Sequence, residues 1–355
     1  MKKVFALVLS LFLFVSCAAA GTGLAENKTV HIVTTIFPIY DWVREIVGSD
    51  MDHVNLKLLL DSGVDLHSYQ PSAQDILAIS TADLFVYVGG ESDEWVEDVL
   101  ASAMNPGLKA VSLVDAMGDG IRMEEIVEGM EHEHDHDHDE EHSHEEHEDH
   151  DDDHDHEDHD HEDHDHEDHD HDHEHEDEAD EHVWLSLRCA GKLTAVIADA
   201  LAGIDPDFAN DYRNNASAYI EKLSDLDARY TETVNQSRLK TLLFGDRFPF
   251  RYLADDYGLT YYAAFSGCSA ESEASFSTIV FLARKVDELG LPAVLTIEHP
   301  RTRIAETVVE NTEAKNQKIL SLDSMQGTTA ADLQAGTTYL SVMESNLEVL
   351  KEALN

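Results

Sequence analysis

VHIVTTIFPIYDWVREIV, residues 30–47, is a short apolar run followed by a longer segment whose apolar residues recur at helical spacing. Val30 to Thr34 is typical of a buried strand. Pro38 to Val47 is typical of a helix that begins at its proline, because proline suits the first helical position. Strands and helices that alternate in this way form parallel βα units with right-handed crossovers. The stretch therefore predicts an α/β fold.

The same alternation continues on both sides of a long helical segment. The strands predicted before it are Val30 to Thr34, Val54 to Leu59, Leu84 to Val88 and Leu108 to Leu113, and those after it are Leu239 to Phe244, Leu259 to Ala264, Ala293 to Ile297 and Ile319 to Leu322. The helices predicted between them are Pro38 to Val47, Pro71 to Ser80, Glu94 to Met104, Phe248 to Tyr257, Phe276 to Leu289, Arg301 to Asn311 and Ala331 to Leu354. We expect two lobes, each with a four-stranded, mainly parallel sheet, that face a cleft where ligands of such sheets usually bind.

The segment between the two sets contains the predicted helices Leu185 to Leu201 and Asp207 to Gln236. The second is roughly 45 Å long at 1.5 Å per residue, which is enough to pass from one lobe to the other. Leu223, Leu226 and Tyr230 recur at helical spacing along it, so they are predicted core contacts. The expected divisions are an N-terminal lobe at 29–205, a linking helix at 206–236 and a C-terminal lobe at 237–355.

A tract at residues 131–178 interrupts the first lobe, and its 48 residues comprise 18 His, 29 Asp or Glu and one Ser. His-Glu-Asp-His-Asp occurs three times in succession from His156 to Asp170. The tract has no apolar surface to offset the entropy lost on ordering, so we expect it to be disordered. Its imidazoles and carboxylates suit a borderline divalent ion such as Zn²⁺. It is either a metal-binding segment or a solvated acidic insertion.

The chain is strongly acidic, with 74 acidic against 23 basic residues and a formal charge of −51. Outside the tract there remain 45 acidic residues and all the basic ones. Phosphate recognition depends on clusters of Lys and Arg, so nucleic acid is excluded as a partner. A cationic ligand is more compatible with this balance.

The first 16 residues are predicted to be an export signal peptide. Lys2 and Lys3 precede an apolar run of twelve residues, which is too short to span a bilayer. The run ends in Phe14-Val15-Ser16-Cys17, which resembles a bacterial lipobox with Phe where Leu is usual. We expect Cys17 to be lipidated, residues 17–28 to form a tether, and the protein to be anchored on the extracytoplasmic side of the cell membrane.

Two further cysteines, Cys189 and Cys268, lie far apart in the sequence. In an oxidising compartment they can form a disulfide, but separation along the chain does not show whether the thiols meet. Two unpaired structural thiols and a thiol ligand for a metal are the alternatives.

Two of the five His residues outside the tract lie in recognisable motifs. These are Gly63-Val64-Asp65-Leu66-His67-Ser68-Tyr69 and, directly after the tract, His182-Val183-Trp184-Leu185. With these motifs the chain resembles the zinc- and manganese-binding proteins of bacterial ABC transporters, the cluster 9 metal-binding family, over essentially all of its mature length. The resemblance implies that His67 and His182 bind the metal directly, in a cleft between two four-stranded lobes joined by one long rigid helix. Zinc members often carry a His-rich insertion where this chain has its tract.

The resemblance also implies a third His ligand, and this chain departs from the pattern there. Counting back from Tyr257-Gly258-Leu259 places Arg247 at that position, and an arginine cannot bind a cation. Glu298 and Asp323, each at the end of a predicted strand, match carboxylate ligand positions of different members. His299 is a candidate for the missing imidazole, although Glu298 and His299 need a turn to converge because neighbours in a strand point to opposite faces. Asp246 and Cys268 are weaker candidates.

The predicted function is that of an extracytoplasmic lipoprotein, a monomer, that binds Zn²⁺ and delivers it to an ABC permease. A Mn²⁺-binding member of the same family is the alternative within the class, since loss of a His favours an oxygen-rich site. A surface metal store or adhesin, in which the tract is the functional unit, is the alternative from another class. No enzyme activity is predicted, because the one zinc-protease-like match, at 132–136, lies in the tract and that pattern requires an ordered helix. His31 and His53 are predicted to be structural.

Overall fold

The computed structural model describes residues 29–49, 51–130, 178–269, 273–298 and 302–355. The predicted signal peptide, the tether with Cys17, nearly all of the His-rich tract and His299 lie outside the described residues. Among the residues that are described, no helix is both long enough and apolar enough to cross a membrane.

The first lobe is a four-stranded parallel sheet with helices on its faces. Its strands are β1 (Val30–Thr34), β2 (Val54–Leu58), β3 (Leu84–Tyr87) and β4 (Lys109–Ser112), in the order β2-β1-β3-β4. Its helices are α1 (Phe37–Val47), α2 (Ala73–Thr81), α3 (Trp95–Ala101) and α4 (Leu113–Met117), followed after the tract by α5 (Leu187–Ile204). All three strand pairs are parallel, as the alternation predicts.

The second lobe repeats this topology. Its strands are β5 (Thr241–Arg247), β6 (Thr260–Phe265), β7 (Ala293–Thr296) and β8 (Lys318–Ser321), in the order β6-β5-β7-β8. Its helices are α7 (Arg251–Tyr257), α8 (Phe276–Leu289), α9 (Arg303–Asn311), α10 (Ala330–Ala335) and α11 (Tyr339–Ala353). The prediction of two lobes with four-stranded parallel sheets is confirmed.

Helix α6 (Ala209–Gln236) links the lobes and has 28 residues. It packs against α1 and α5 of the first lobe and against α11 of the second. Leu223, Leu226 and Tyr230 are buried, which confirms them as core contacts. The Tyr230 hydroxyl donates to the carbonyl oxygen of Met343 on α11 at 2.6 Å, so the linking helix is fixed to the second lobe as well as to the first.

The prediction of one helix from Ala331 to Leu354 is wrong. The segment forms α10 and α11, because Gly336 adopts a left-handed conformation with φ of 89° and ends the first helix. Thr338 then caps the second, accepting from the N–H of Ser341, whose side chain in turn accepts from the N–H of Thr338. The turn directs α11 back onto α6.

The two lobes contact each other through loops at the carboxyl ends of their strands. Ser62 and Thr329 form an isolated antiparallel bridge, and the N–H of Ala330 donates to the carbonyl oxygen of Asp61 at 2.7 Å. The Trp184 indole donates to the carbonyl oxygen of Ser324 at 2.9 Å. These contacts therefore join the two lobes along the cleft.

Asp41 is a buried carboxylate that joins the lobes, and its side chain is 0 % exposed. It accepts a hydrogen bond at 2.8 Å from the N–H of Tyr339, the first residue of α11. Burial raises the pKa of Asp41 from 3.8 to about 6. The folded state therefore binds a proton more tightly than the unfolded chain, and the stability this contributes is present below about pH 4 and is lost as the pH rises through 6.

We expect Asp41→Asn to remove this loss. Relative to the variant, the wild type should lose up to about 3 kcal/mol of unfolding free energy between pH 4 and 6.5, because one pKa unit corresponds to about 1.4 kcal/mol. Urea unfolding of the metal-free proteins at several pH values measures this, with the exposed Asp52→Asn as control. If the unfolding free energies of the wild type and Asp41→Asn changed with pH in parallel, the pKa of Asp41 would not be raised in the folded protein.

Candidate metal centre

His67 lies in a single 3-10 turn, Leu66–Ser68, in the segment that follows β2. Asp65 caps the turn and accepts from the His67 N–H at 3.0 Å. Nδ1 of the ring is 2.7 Å from the hydroxyl of Ser92. With Nδ1 occupied, Nε2 is the ring nitrogen available to a ligand.

His182 follows the tract directly and is 0 % exposed. Oδ1 of Asp180 lies 2.9 Å from the His182 N–H and 2.9 Å from its Nδ1. A carboxylate on one ring nitrogen fixes the tautomer and the orientation of an imidazole that binds metal through the other. The Asp-x-His spacing thus presents Nε2 of His182 to the cleft, as Asp65 and Ser92 do for His67.

The two rings face each other, with their Nε2 atoms 3.3 Å apart. Burial, followed by the neighbouring His182 and opposed by Asp65, lowers the pKa of His67 to about 3. The His67 imidazole is therefore neutral at physiological pH, which is the form that binds metals. Two imidazole nitrogens directed at one point form the core of a divalent cation site.

Cys268 is the third metal-binding side chain at this point. Its Sγ and one ring nitrogen each from His67 and His182 all lie within 4.8 Å of one another. Across the described residues this is the one such group of three His, Cys, Asp or Glu side chains. Cys189 and Cys268 are both free thiols, so the structure contains no disulfide between them.

Arg247 lies at the end of β5 and pairs across the cleft with Asp65 of the first lobe. Both side chains are largely buried, at 13 % and 15 % exposed. Burial opposes ionisation of Asp65, but the Arg247 guanidinium outweighs it and holds the pKa of that carboxyl below its ordinary value. Arg247 is thus a fixed internal cation beside the two His residues and joins the lobes through an ion pair.

Gln326, which the sequence did not indicate, also lies between the lobes and is 4 % exposed. When its amide is turned so that the nitrogen faces Asp65, that nitrogen lies 3.1 and 3.2 Å from the two carboxylate oxygens, and the amide oxygen lies 3.2 Å from Nε2 of His182. Nothing in the local sequence marks this residue, because its position depends on how the loop after β8 is held.

Glu298 holds that loop. Its carboxylate accepts four hydrogen bonds of 2.8 to 3.0 Å, from the N–H and hydroxyl of Ser324 and from the N–H groups of Gln326 and Gly327. Asp323 accepts from the N–H of Met325 at 2.7 Å, and burial, followed by repulsion from Glu298, raises its pKa to about 6. Neither carboxylate belongs to the cluster of His67, His182 and Cys268 among the described residues. Both remain proposed ligands.

We expect Glu298→Gln to destabilise the metal-free protein by about 2 kcal/mol. One carboxylate oxygen becomes an amide nitrogen that faces an N–H donor, and the remaining hydrogen bonds are no longer made to a charged acceptor. Urea unfolding with chelator present measures the effect, and the exposed Glu310→Gln is the matched control. Unchanged stability would show that Glu298 does not anchor the loop, and weakened Zn²⁺ binding would be the sign that it also contacts the ion.

Comparison with known proteins identifies the family of the chain. A family model described as zinc-uptake complex component A, periplasmic, matches residues 32–353. The chain belongs to this family. Its His67 and His182 face each other between the two lobes at 3.3 Å.

Two named relatives match nearly the whole chain. The zinc-binding lipoprotein AdcA of Streptococcus pneumoniae is 33 % identical over 352 residues, and the chain spans 61 % of that protein's length. The high-affinity zinc uptake system protein ZnuA of Bacillus subtilis is 30 % identical over 353 residues and is covered to 96 %. The crystal structure of the Zn(II)-bound ZnuA-like domain of S. pneumoniae AdcA is 29 % identical with a TM-score of 0.64, covering 92 % of this chain and 99 % of that domain.

Two His residues have structural roles, as expected. Nε2 of His53 lies 3.1 Å from both Asp205 and the hydroxyl of Tyr212, and its ring stacks on Phe208 with centroids 4.0 Å apart. His31 is exposed on β1, with Nδ1 3.3 Å from the amide of Asn55. Neither takes part in the metal-binding cluster.

Proposed function

We propose that this member of the zinc-uptake family captures Zn²⁺ between its lobes and delivers it to an ABC permease in the cell membrane. The observation that carries the proposal is the pair of Nε2 atoms 3.3 Å apart, each on a ring whose Nδ1 is held by a protein group. Imidazoles with fixed orientation suit Zn²⁺. The names of the relatives, zinc-binding lipoprotein and zinc uptake protein, support the same ligand.

The location we propose is the extracytoplasmic face of the membrane, where a lipid on Cys17 anchors a monomer. Apolar residues that end in a lipobox-like sequence support this. The protein needs no catalytic step for this role, since it binds the ion and releases it to the permease. Glu298 and Asp323 are proposed as carboxylates that approach the ion from the second lobe, and His299 as a further candidate beside Glu298.

The His-rich tract is proposed to be a collector that raises the local supply of Zn²⁺ at the cleft. Its C-terminal end is held beside the site: the N–H of Glu124 donates to the carbonyl oxygen of Glu178 at 2.8 Å, and Met123 bridges to Ala179. Three residues separate Glu178 from His182. An ion released from the tract therefore enters solution close to the cleft, where its effective concentration is high.

Deleting the tract tests the proposal. The deletion should remove 131–177 and keep Glu178, whose backbone contacts hold Glu124, with a short Gly/Ser linker across the gap. We expect one tight Zn²⁺ site to survive in a competition titration with a chromophoric chelator, and a large excess of Mn²⁺ not to displace the zinc. Loss of all tight binding would instead make the tract the functional unit, and preferential Mn²⁺ binding would identify a manganese protein.

A further inference from the structure

The loop after β6 reaches the two His rings because one of its residues is glycine. A Cβ at Gly267 would lie 3.0 Å from the carbonyl oxygen of Phe248 and 3.2 Å from Cε1 of His182. Both distances are tighter than an ordinary Cβ contact, so a side chain here would require the carbonyl oxygen or the imidazole to move away, and glycine lets the backbone pack directly on the imidazole. The next residue, Cys268, is thereby placed against the metal-binding nitrogens.

The spacing of the two imidazole nitrogens fits a tetrahedral zinc ion, and the Cys268 sulfur lies close to the third position. Zn–N bonds of about 2.05 Å and Zn–S bonds of about 2.3 Å place two nitrogens about 3.3 Å apart, and a nitrogen and a sulfur about 3.6 Å apart. The measured separation of the two Nε2 atoms is 3.3 Å. Sγ of Cys268 lies within 4.8 Å of one nitrogen of each ring, so a shift of up to about 1.2 Å completes the geometry.

One oxygen of a buried carboxylate beside the cluster has no hydrogen-bond partner among the described residues. Glu181 is 2 % exposed, and its Oε1 accepts from the N–H of Ser92 at 2.9 Å. Its Oε2 has no hydrogen-bond partner among the described residues and lies 4.0 Å from Nδ1 of His67. An unpaired buried carboxylate oxygen is costly, and a divalent cation on the adjacent imidazoles would offset that cost.

We propose that Cys268 is the third zinc ligand, bound as a thiolate, and that it takes over from the imidazole that Arg247 has replaced. The inference rests on the proposed function and specifies its donor set as two imidazoles and one thiolate. Binding forms a Zn–S bond and releases the thiol proton, for which Glu124 is the adjacent acceptor, since its carboxylate accepts from the Cys268 N–H at 3.0 Å. A thiolate selects Zn²⁺ over Mn²⁺.

Cobalt substitution in the full-length chain tests this proposal. Co²⁺ bound by a thiolate has an intense ligand-to-metal charge-transfer absorption in the near ultraviolet, which imidazole and carboxylate ligands do not produce. The His-rich tract contains no Cys, so it adds nothing to this band. We expect the wild type to develop the band with one equivalent of bound Co²⁺, Cys268→Ser to lose it, and the controls Cys189→Ser and Cys17→Ser to keep it.

The Zn²⁺ affinity of Cys268→Ser should also fall about 100-fold or more, because loss of an outer-sphere partner alone costs 10- to 100-fold. X-ray absorption at the zinc edge of the wild type, which should contain one sulfur neighbour, keeps the test independent of the variant's folding. A wild type without the band or the sulfur neighbour would overturn the ligand assignment. If a tight site were still present that depended on His182, the proposed function would stand without Cys268; absence of any tight site would contradict both.

Discussion

Replacing His182 with alanine is expected to weaken Zn²⁺ binding in the cleft by at least about 100-fold. The side chain is fully buried, and Asp180 directs its Nε2 at the Nε2 of His67, 3.3 Å away. The substitution removes a direct ligand, and even loss of the outer partner of a ligand costs 10- to 100-fold in affinity. Asp180 is then also left without the ring that it orients.

The measurement is a chelator competition in the protein that lacks residues 131–177, since tract sites would otherwise mask the change. His31→Ala is the matched control, because His31 is exposed on β1 away from the cleft. It should bind Zn²⁺ like the parent protein. Equal affinities for His182→Ala and the parent would place the zinc site elsewhere.

Replacing Arg247 with alanine should destabilise the metal-free protein by about 4 kcal/mol. The guanidinium pairs with Asp65 across the cleft, and both side chains are at most 15 % exposed. Removing one partner leaves a buried charge without its counter-ion, which typically costs about 3–5 kcal/mol. Asp65 also caps the turn that carries His67, so the variant should bind Zn²⁺ less tightly although Arg247 is not a ligand.

A double-mutant cycle with Asp65→Asn separates the pair from the rest of the site. When both charges are removed, the loss of unfolding free energy should be clearly smaller than the sum of the two single losses, because neither charge is then left unpaired. Urea unfolding in the presence of chelator gives the four values. Strictly additive losses would show that Arg247 and Asp65 do not stabilise each other.

Most of the fold could be predicted from periodicity, because the spacing of apolar residues in each segment shows which of its faces is buried. The eight strands and the linking helix follow from that local information. The division of the last helix into α10 and α11 was not predicted, although Gly336 is a helix stop and Thr338, two residues later, is a helix start. In that case the apolar period on both sides masked the two capping signals.

The site was less predictable because several of its residues are positioned by long-range contacts. His67 and His182 lie in motifs. Asp65 lies two residues before His67, and Asp180 lies two residues before His182. Cys268 was only a weak candidate, since its approach depends on the packing of Gly267 against His182. Gln326 reaches the cleft because the Glu298 carboxylate, 28 residues earlier, binds its backbone N–H at 3.0 Å. No local pattern encodes such a contact.

The most direct test of the account is a crystal structure of the zinc-loaded protein without residues 131–177, with anomalous data collected on both sides of the zinc edge. The account predicts one strong anomalous peak between the lobes, about 2.0–2.1 Å from Nε2 of both His67 and His182. Zinc found only at surface carboxylates, with these two imidazoles unbound, would contradict it.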